Sequence, residues 1–191
     1  MTDRVARRPH GRSARATYGA DDAHSFAWDP VLRALALRED DRLLDVGCGG
    51  GVFLRRALET GAGAVGLDHS PEMVELARST SGAPVLEGRA EQLPFVDGEF
   101  TAVSCIVAFF FFADPLLVLG EMRRVLDPER GRVAIFTTPP EAKGTPAAPY
   151  PLATRGHFYE DAELERLPLE AGFAHSSVTR TDIGAQLLVA R

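Results

Sequence analysis

The stretch DVGCGGG, Asp45 to Gly51, ends a short apolar run and opens a helical pattern. Glycine at Gly47, Gly49 and Gly51 lets the backbone turn sharply and lets a ligand approach where any side chain would collide. Asp68 follows about 20 residues on, at the end of the next apolar run, where a carboxylate can accept both hydroxyls of a ribose. Each acid also has a plainer reading. Asp45 can simply order the turn, and Asp68 can be an acid at a helix start, although Ser70 already supplies a cap there. Dinucleotide sites follow G-x-G-x-x-G, with the glycines supporting a pyrophosphate, whereas the pattern here is D-x-G-x-G-x-G. An acid ahead of the first glycine suits a cationic or amine-bearing ligand better than a diphosphate, which leaves a nicotinamide- or flavin-dependent oxidoreductase as a rival reading.

These residues need a scaffold, and the chain alternates short apolar runs with helical patterns, as a parallel sheet covered on both faces requires. Asp41 to Gly47 is predicted as a strand, Val52 to Thr60 as a helix closed by Gly61, and Gly63 to Asp68 as a second strand. Ser70-Pro71 then caps and opens a helix carrying Met73, Val74, Leu76 and Ala77. APVLEG gives a third strand and FTAVSCIVAFF a fourth. Asp114-Pro115 starts a helix to Leu126 with Leu116, Leu119 and Met122 on one face, and GRVAIFTT is the fifth strand. The Pro-rich connection from Pro139 to Pro151 is too broken for regular structure. A helix from about Glu160 meets Pro168 and ends near Gly172, and SSVTRTDI and GAQLLVAR pair around Gly184. A helix through Pro30 to Leu37, preceded by Tyr18, Phe26 and Trp28, comes before the first strand.

Composition bounds the class. The 191 residues, 45% hydrophobic and 25% charged, fit one globular domain, read as residues 17–191. A net charge of −6 argues against a body that grips nucleic acid, since that grip is largely counterion release by clustered Lys and Arg. The exception is residues 1–16, where Arg4, Arg7, Arg8, Arg12 and Arg15 crowd together. That stretch reads as a disordered basic tail, the alternatives being a nucleic-acid or membrane tether or a targeting peptide. From Phe100 to Ala113 no residue is charged, yet a spanning helix needs about 20 apolar residues. No membrane span is expected. Cys48 and Cys105 sit in apolar or glycine-rich surroundings without a signal pattern ahead of them, which fits a cytoplasmic protein. The abundance of Arg, Ala and Gly beside the single Lys143 points to a GC-rich, bacterial genome.

Taken together, LLDVGCGGG, VGLDHSPEMVELAR, GRAEQLPFVDGEF, EMRRVLDPERGRV and HFYEDAELERLPLEAGF resemble the class I S-adenosylmethionine-dependent methyltransferases, in particular the small-molecule group that includes quinone-biosynthesis methyltransferases. The resemblance runs from about Arg42 to Arg191. It implies an α/β fold, a Rossmann-like doubly wound seven-stranded sheet that is mostly parallel, with an antiparallel C-terminal strand and helices on both faces. It also implies S-adenosyl-L-methionine as cofactor. Gly47, Cys48 and Gly49 match the turn that holds the methionine portion, with Asp45 orienting its ammonium group. Asp68 matches the ribose acid, His69 the residue against the adenine, and Met73 an apolar neighbour. Ala90 matches the position whose N–H meets the adenine edge, with Glu91 and Leu93 adjacent. Cys105 and Ile106 would flank the reactive sulfonium. The chain departs from the family pattern at Arg89, commonly Asp, at Thr101 after Phe100, at DPERG in place of a Pro-Gly-Gly turn, and at Pro168.

The resemblance puts Phe109 to Phe112 beside the methyl group to be transferred. Read as strand residues they alternate sides, so some should line an acceptor pocket, the alternative being that all pack under helices. An aromatic pocket favours an apolar or aromatic small-molecule acceptor and suits a sulfonium through cation–π attraction. A general base is needed only if the acceptor must lose a proton. His157 is the leading candidate, ahead of Tyr159, His24 and Asp114, although it can equally be a plain loop histidine. No His-and-carboxylate pattern at ligand spacing appears, so no metal is expected. The expected activity is methyl transfer to an oxygen, nitrogen or carbon. The alternative is a catalytically degenerate cofactor-binding regulatory or scaffold subunit.

Overall fold

Four strands are apolar nearly throughout and buried on both sides: β1 (Arg42–Val46), β2 (Gly63–Asp68), β4 (Ala102–Ile106) and β5 (Arg132–Thr137). Strands of that composition form a parallel sheet whose two faces are both covered. The computed structural model describes residues 24–150 and 152–191 and contains one seven-stranded sheet in the order β3-β2-β1-β4-β5-β7-β6. Beside β2 lies β3 (Val85–Glu87), parallel like the others. At the opposite edge β7 (Gln186–Ala190) runs antiparallel to both β5 and β6 (Ser176–Arg180). The Arg-rich stretch 1–16 and Tyr18 lie outside the described residues.

Among the described residues, five helices cover the sheet: α1 (Ser25–Leu35), α2 (Val52–Leu58), α3 (Pro71–Ser81), α4 (Pro115–Val125) and α5 (Asp161–Glu170). Strand alternation sorts the core into two layers. Leu43, Ala102, Ala134 and Phe136 pack with α1, α2 and α3, whereas Leu44, Val103, Val133 and Ile135 pack with α4 and α5. Each large side chain buried in these layers contributes about 1.5–3 kcal/mol relative to exposure. Helix starts follow the expected signals. Ser70 accepts from the Met73 N–H at 3.4 Å ahead of Pro71, and Asp114 accepts from the Leu117 N–H at 3.0 Å ahead of Pro115.

Three elements depart from the sequence reading. The fourth strand stops at Ile106, because Val107 adopts φ +55, a left-handed conformation that a β-branched residue rarely takes. Its N–H bonds the Phe136 carbonyl at 2.8 Å, and Phe109–Phe111 then form a 3₁₀ turn instead of extended strand. α1 begins at Ser25 and carries Pro30 in its second turn, where the missing donor would have met the Phe26 carbonyl. The connection after Pro139 contains a short 3₁₀ turn at Pro140–Ala142. No helix among the described residues is long and apolar enough to cross a membrane.

Candidate functional site

The order of the sheet reverses between β1 and β4, and the loops leaving their carboxyl ends enclose a cleft, as expected at such a switch point. The turn after β1 is built from residues without side chains because it has no room for them. Gly47 has φ +75, and a Cβ there would stand 2.8 Å from the Ala108 Cβ. Gly51 has φ +77, and its Cβ would meet the Ala77 Cα at 2.7 Å, so this glycine is what allows α2 to lie against α3. Gly66 of β2 was missed by the sequence reading. A Cβ at that position would stand 2.9 Å from the Cys48 sulfur, so its absence makes room for the Cys48 side chain. Burial first, then the carboxylates of Asp68 and Asp45, push the Cys48 thiol up, keeping it protonated.

Asp68 ties this turn to the end of β2. Its Oδ2 accepts the Gly49 N–H and its Oδ1 the Ser70 N–H, both at 2.9 Å. The plainer reading is thus realised in part, since Asp68 does order the start of α3. A carboxylate has about four lone-pair sites, which leaves acceptor capacity on each oxygen. His69 lies beside it, with Nδ1 3.5 Å from Oδ1. One strand away, Asp45 is buried and accepts from the Ser104 hydroxyl at 2.6 Å. Burial pushes the Asp45 carboxyl up to about 7, against the hydrogen bond from Ser104 and with repulsion from Asp68. Ser104 was not singled out from sequence. Strand register, which pairs it with Asp45, is the signal that identifies it.

The cleft has two adjoining hollows that share Gly47, Asp68, His69, Phe111 and Phe112. The first is lined also by His24, Trp28, Asp45, Cys48, Gly49, Met73, Ile106 and Val107. The second is lined also by Leu67, Gly88, Arg89, Ala90 and Glu91. Ten of the expected residues therefore meet in one place: Asp45, Gly47, Cys48, Gly49, Asp68, His69, Met73 and Ile106 in the first hollow, Ala90 and Glu91 in the second. Arg89, where the family commonly has Asp, is exposed, with its Nε 3.5 Å from Glu91.

Two of the expected residues lie elsewhere. Cys105 is wholly buried in the core beneath α4, because alternation along β4 turns Ile106 toward the cleft and Cys105 away from it. His157 is exposed and lines neither hollow, and its backbone N–H bonds the Phe110 carbonyl at 2.7 Å. Of the other proton-accepting candidates, Tyr159 packs against Phe109 with its hydroxyl buried, and Asp114 caps α4. His24 does line the first hollow. The phenylalanine run divides: Phe109 and Phe110 are buried, Phe110 stacking on Phe158 at 5.3 Å, whereas half-buried Phe111 and Phe112 wall the cleft.

The chain is similar to known methyltransferases. Residues 44–135 match a family model described as a methyltransferase domain. A demethylmenaquinone methyltransferase of Deinococcus radiodurans is 40% identical over 125 residues, covering 61% of this chain and 52% of that protein. One from Thermus thermophilus is 38% identical over 136 residues, covering 67% and 60%. The chain thus spans between about half and three-fifths of the length of these curated relatives. Among solved structures, the methyltransferase in complex with the Haloferax volcanii Trm112 methyltransferase activator superposes with a TM-score of 0.76 at 26% identity, covering 95% of this chain and 98% of that one. Residues 44–135 thus match a methyltransferase domain, and the chain is similar to S-adenosylmethionine-dependent methyltransferases of the quinone-biosynthesis group.

Proposed function

We propose that this chain transfers a methyl group from S-adenosylmethionine to an oxygen, nitrogen or carbon of a small apolar or aromatic acceptor, of which a hydroquinone is the best-supported example. The observation that carries the reading is the pairing of Asp68 with the side-chain-free turn at the mouth of an aromatic cleft. The residues present fit the cofactor. Gly47, Cys48 and Gly49 would hold the methionine portion, and Asp45 is a buried acid suited to an ammonium group. Asp68 would take the ribose hydroxyls, and His69, Met73, Ala90 and Glu91 would border the adenine. When bound, the cofactor supplies an electrophilic methyl group on a sulfonium sulfur.

The chain's own part is positioning and exclusion of water, which dominate such an in-line displacement. Trp28, Phe111 and Phe112 provide aromatic faces that attract a cation and shed water. The demethylmenaquinone methyltransferases among the relatives support a quinone-like acceptor. Two free, buried cysteines and an acidic body support a cytoplasmic protein with a small-molecule partner rather than nucleic acid. No observation favours the reading as a non-transferring scaffold subunit.

The test is to incubate the protein with S-adenosylmethionine and a naphthohydroquinone and follow the acceptor by mass spectrometry. The acceptor should gain the mass of one methylene while S-adenosylhomocysteine accumulates. Cofactor binding with no methylation of any apolar aromatic acceptor would instead support the scaffold reading.

A further inference from the structure

The geometry points to His24, rather than His157, as the group that takes the acceptor's proton as methyl transfer occurs; this inference rests on the function proposed above. His24 immediately precedes α1, and its backbone carbonyl receives the Ala27 N–H at 2.9 Å, while its side chain does not cap the helix. Trp28 of α1 lines the first hollow of the cleft with it. Phe26 holds the imidazole edge-on at 5.9 Å and is itself held by the Phe136 ring at 5.7 Å. The histidine is thus fixed as part of the wall of the hollow that Asp45 and Asp68 also line.

The other titratable groups of that hollow are two acids, a second histidine and a thiol. Asp45 accepts from Ser104, Asp68 accepts from Gly49 and Ser70, His69 lies against Asp68, and the Cys48 thiol stays protonated. Outside it, burial pushes the Tyr159 hydroxyl up to about 12, aided by Glu163. From the end of β4 the cleft side presents the uncharged Ile106 and Val107, and from α2 Val52 and Phe53, while Phe136 of β5 packs against Phe26 and Asp29 and Arg33 of α1 line a separate groove. Burial draws His24 below the ordinary histidine value. Its imidazole is therefore neutral near pH 7 and able to accept.

In this step the acceptor's O–H bond breaks and its proton passes to an imidazole nitrogen. The oxygen's electron pair, or that of a ring carbon activated by it, bonds the methyl carbon, and the pair of the broken carbon–sulfur bond stays on sulfur. The imidazolium then returns its proton to solvent.

The test compares wild type with His24→Asn, since asparagine tolerates the left-handed backbone at this position (φ 59) but cannot act as the base. With S-adenosylhomocysteine bound and no turnover, 4-nitro-1-naphthol is added below its own ionisation range. Wild type should develop the long-wavelength band of the ionised naphthol, and the variant should not. In turnover, the variant should slow transfer to weakly acidic 1-naphthol by about 100-fold or more. Transfer to the nitronaphthol, supplied already ionised at higher pH, should stay within about tenfold, because such an acceptor no longer needs a base. Equal slowing of both acceptors, slowing of neither, or an unchanged band would overturn the role of His24 and leave the transferase reading standing. If wild type binds S-adenosylhomocysteine by calorimetry yet methylates neither naphthol, both fall. Should the variant fail to fold, the wild-type profile decides. Transfer to 1-naphthol should decline as pH falls through the region below the ordinary histidine value, and a profile flat down to about pH 5 would overturn the inference.

Discussion

Asp45 shows how a single side chain couples burial to ligand choice. A carboxyl held near 7 in the folded chain has an unfolded value of about 3.9. Its contribution to stability is therefore fully present below the unfolded value and is lost as pH rises through about 7. The cofactor-free protein should show a falling thermal midpoint across that window, and Asp45→Asn, which keeps an oxygen for Ser104, should flatten the fall. The same variant should weaken S-adenosylhomocysteine binding by about tenfold or more, because an ammonium group loses its carboxylate. Unchanged affinity by calorimetry would remove Asp45 from the site. This acid, Asp68 and Gly47 were legible in the sequence because their spacing follows the strand–turn–helix that carries them. Cys105 and His157 fall outside the cleft for physical reasons. Adjacent strand residues face opposite ways, and the position of a loop side chain depends on contacts that local pattern does not encode.

At the scale of elements, α2 and α3 lie as closely as they do because Gly51 has no side chain. Gly51→Ala places a methyl group 2.7 Å from the Ala77 backbone in a left-handed conformation. It should cost about 2–3 kcal/mol in urea unfolding, from overpacking and backbone strain together, and a cost below about 0.5 kcal/mol would show that the helices separate freely. Most element boundaries were readable because caps and breakers mark them, as Ser70-Pro71 and Asp114-Pro115 do. The end of β4 was not. FTAVSCIVAFF is a continuous β-favouring run, and what ends the strand is tertiary, namely the Val107 N–H drawn to Phe136 and Ala108 packed against Gly47.

Across the whole molecule, the wall that carries His24 and Trp28 is fastened far from the cleft. Arg132 at the start of β5 donates to the carbonyls of Leu35 and Ala36, just past the body of α1, and to buried Asp41 at 2.7 Å. Asp41 also accepts from the Thr101 hydroxyl at 2.7 Å and the Arg38 N–H at 2.9 Å. Burial disfavours its charge, yet these hydrogen bonds hold its carboxyl well below the usual carboxylate range. Thr101, a departure from the family pattern, thus has a structural role in the network that joins α1, β1 and β5. The seven-stranded, mostly parallel sheet was accessible from the alternation of elements and the family resemblance, whereas this network, which connects residues 91 apart, was not.

The central claim is that Asp68 grips the ribose of the cofactor while the glycine turn admits its amino-acid portion. The direct measurement is a calorimetric double-mutant cycle: wild type and Asp68→Ala, each titrated with S-adenosylhomocysteine and with its 2′-deoxy analogue. Removing the hydroxyl should cost wild type about 1.5–3 kcal/mol and cost the variant almost nothing, giving a coupling of similar size. Equal penalties in both proteins would mean that the carboxylate and the sugar do not meet.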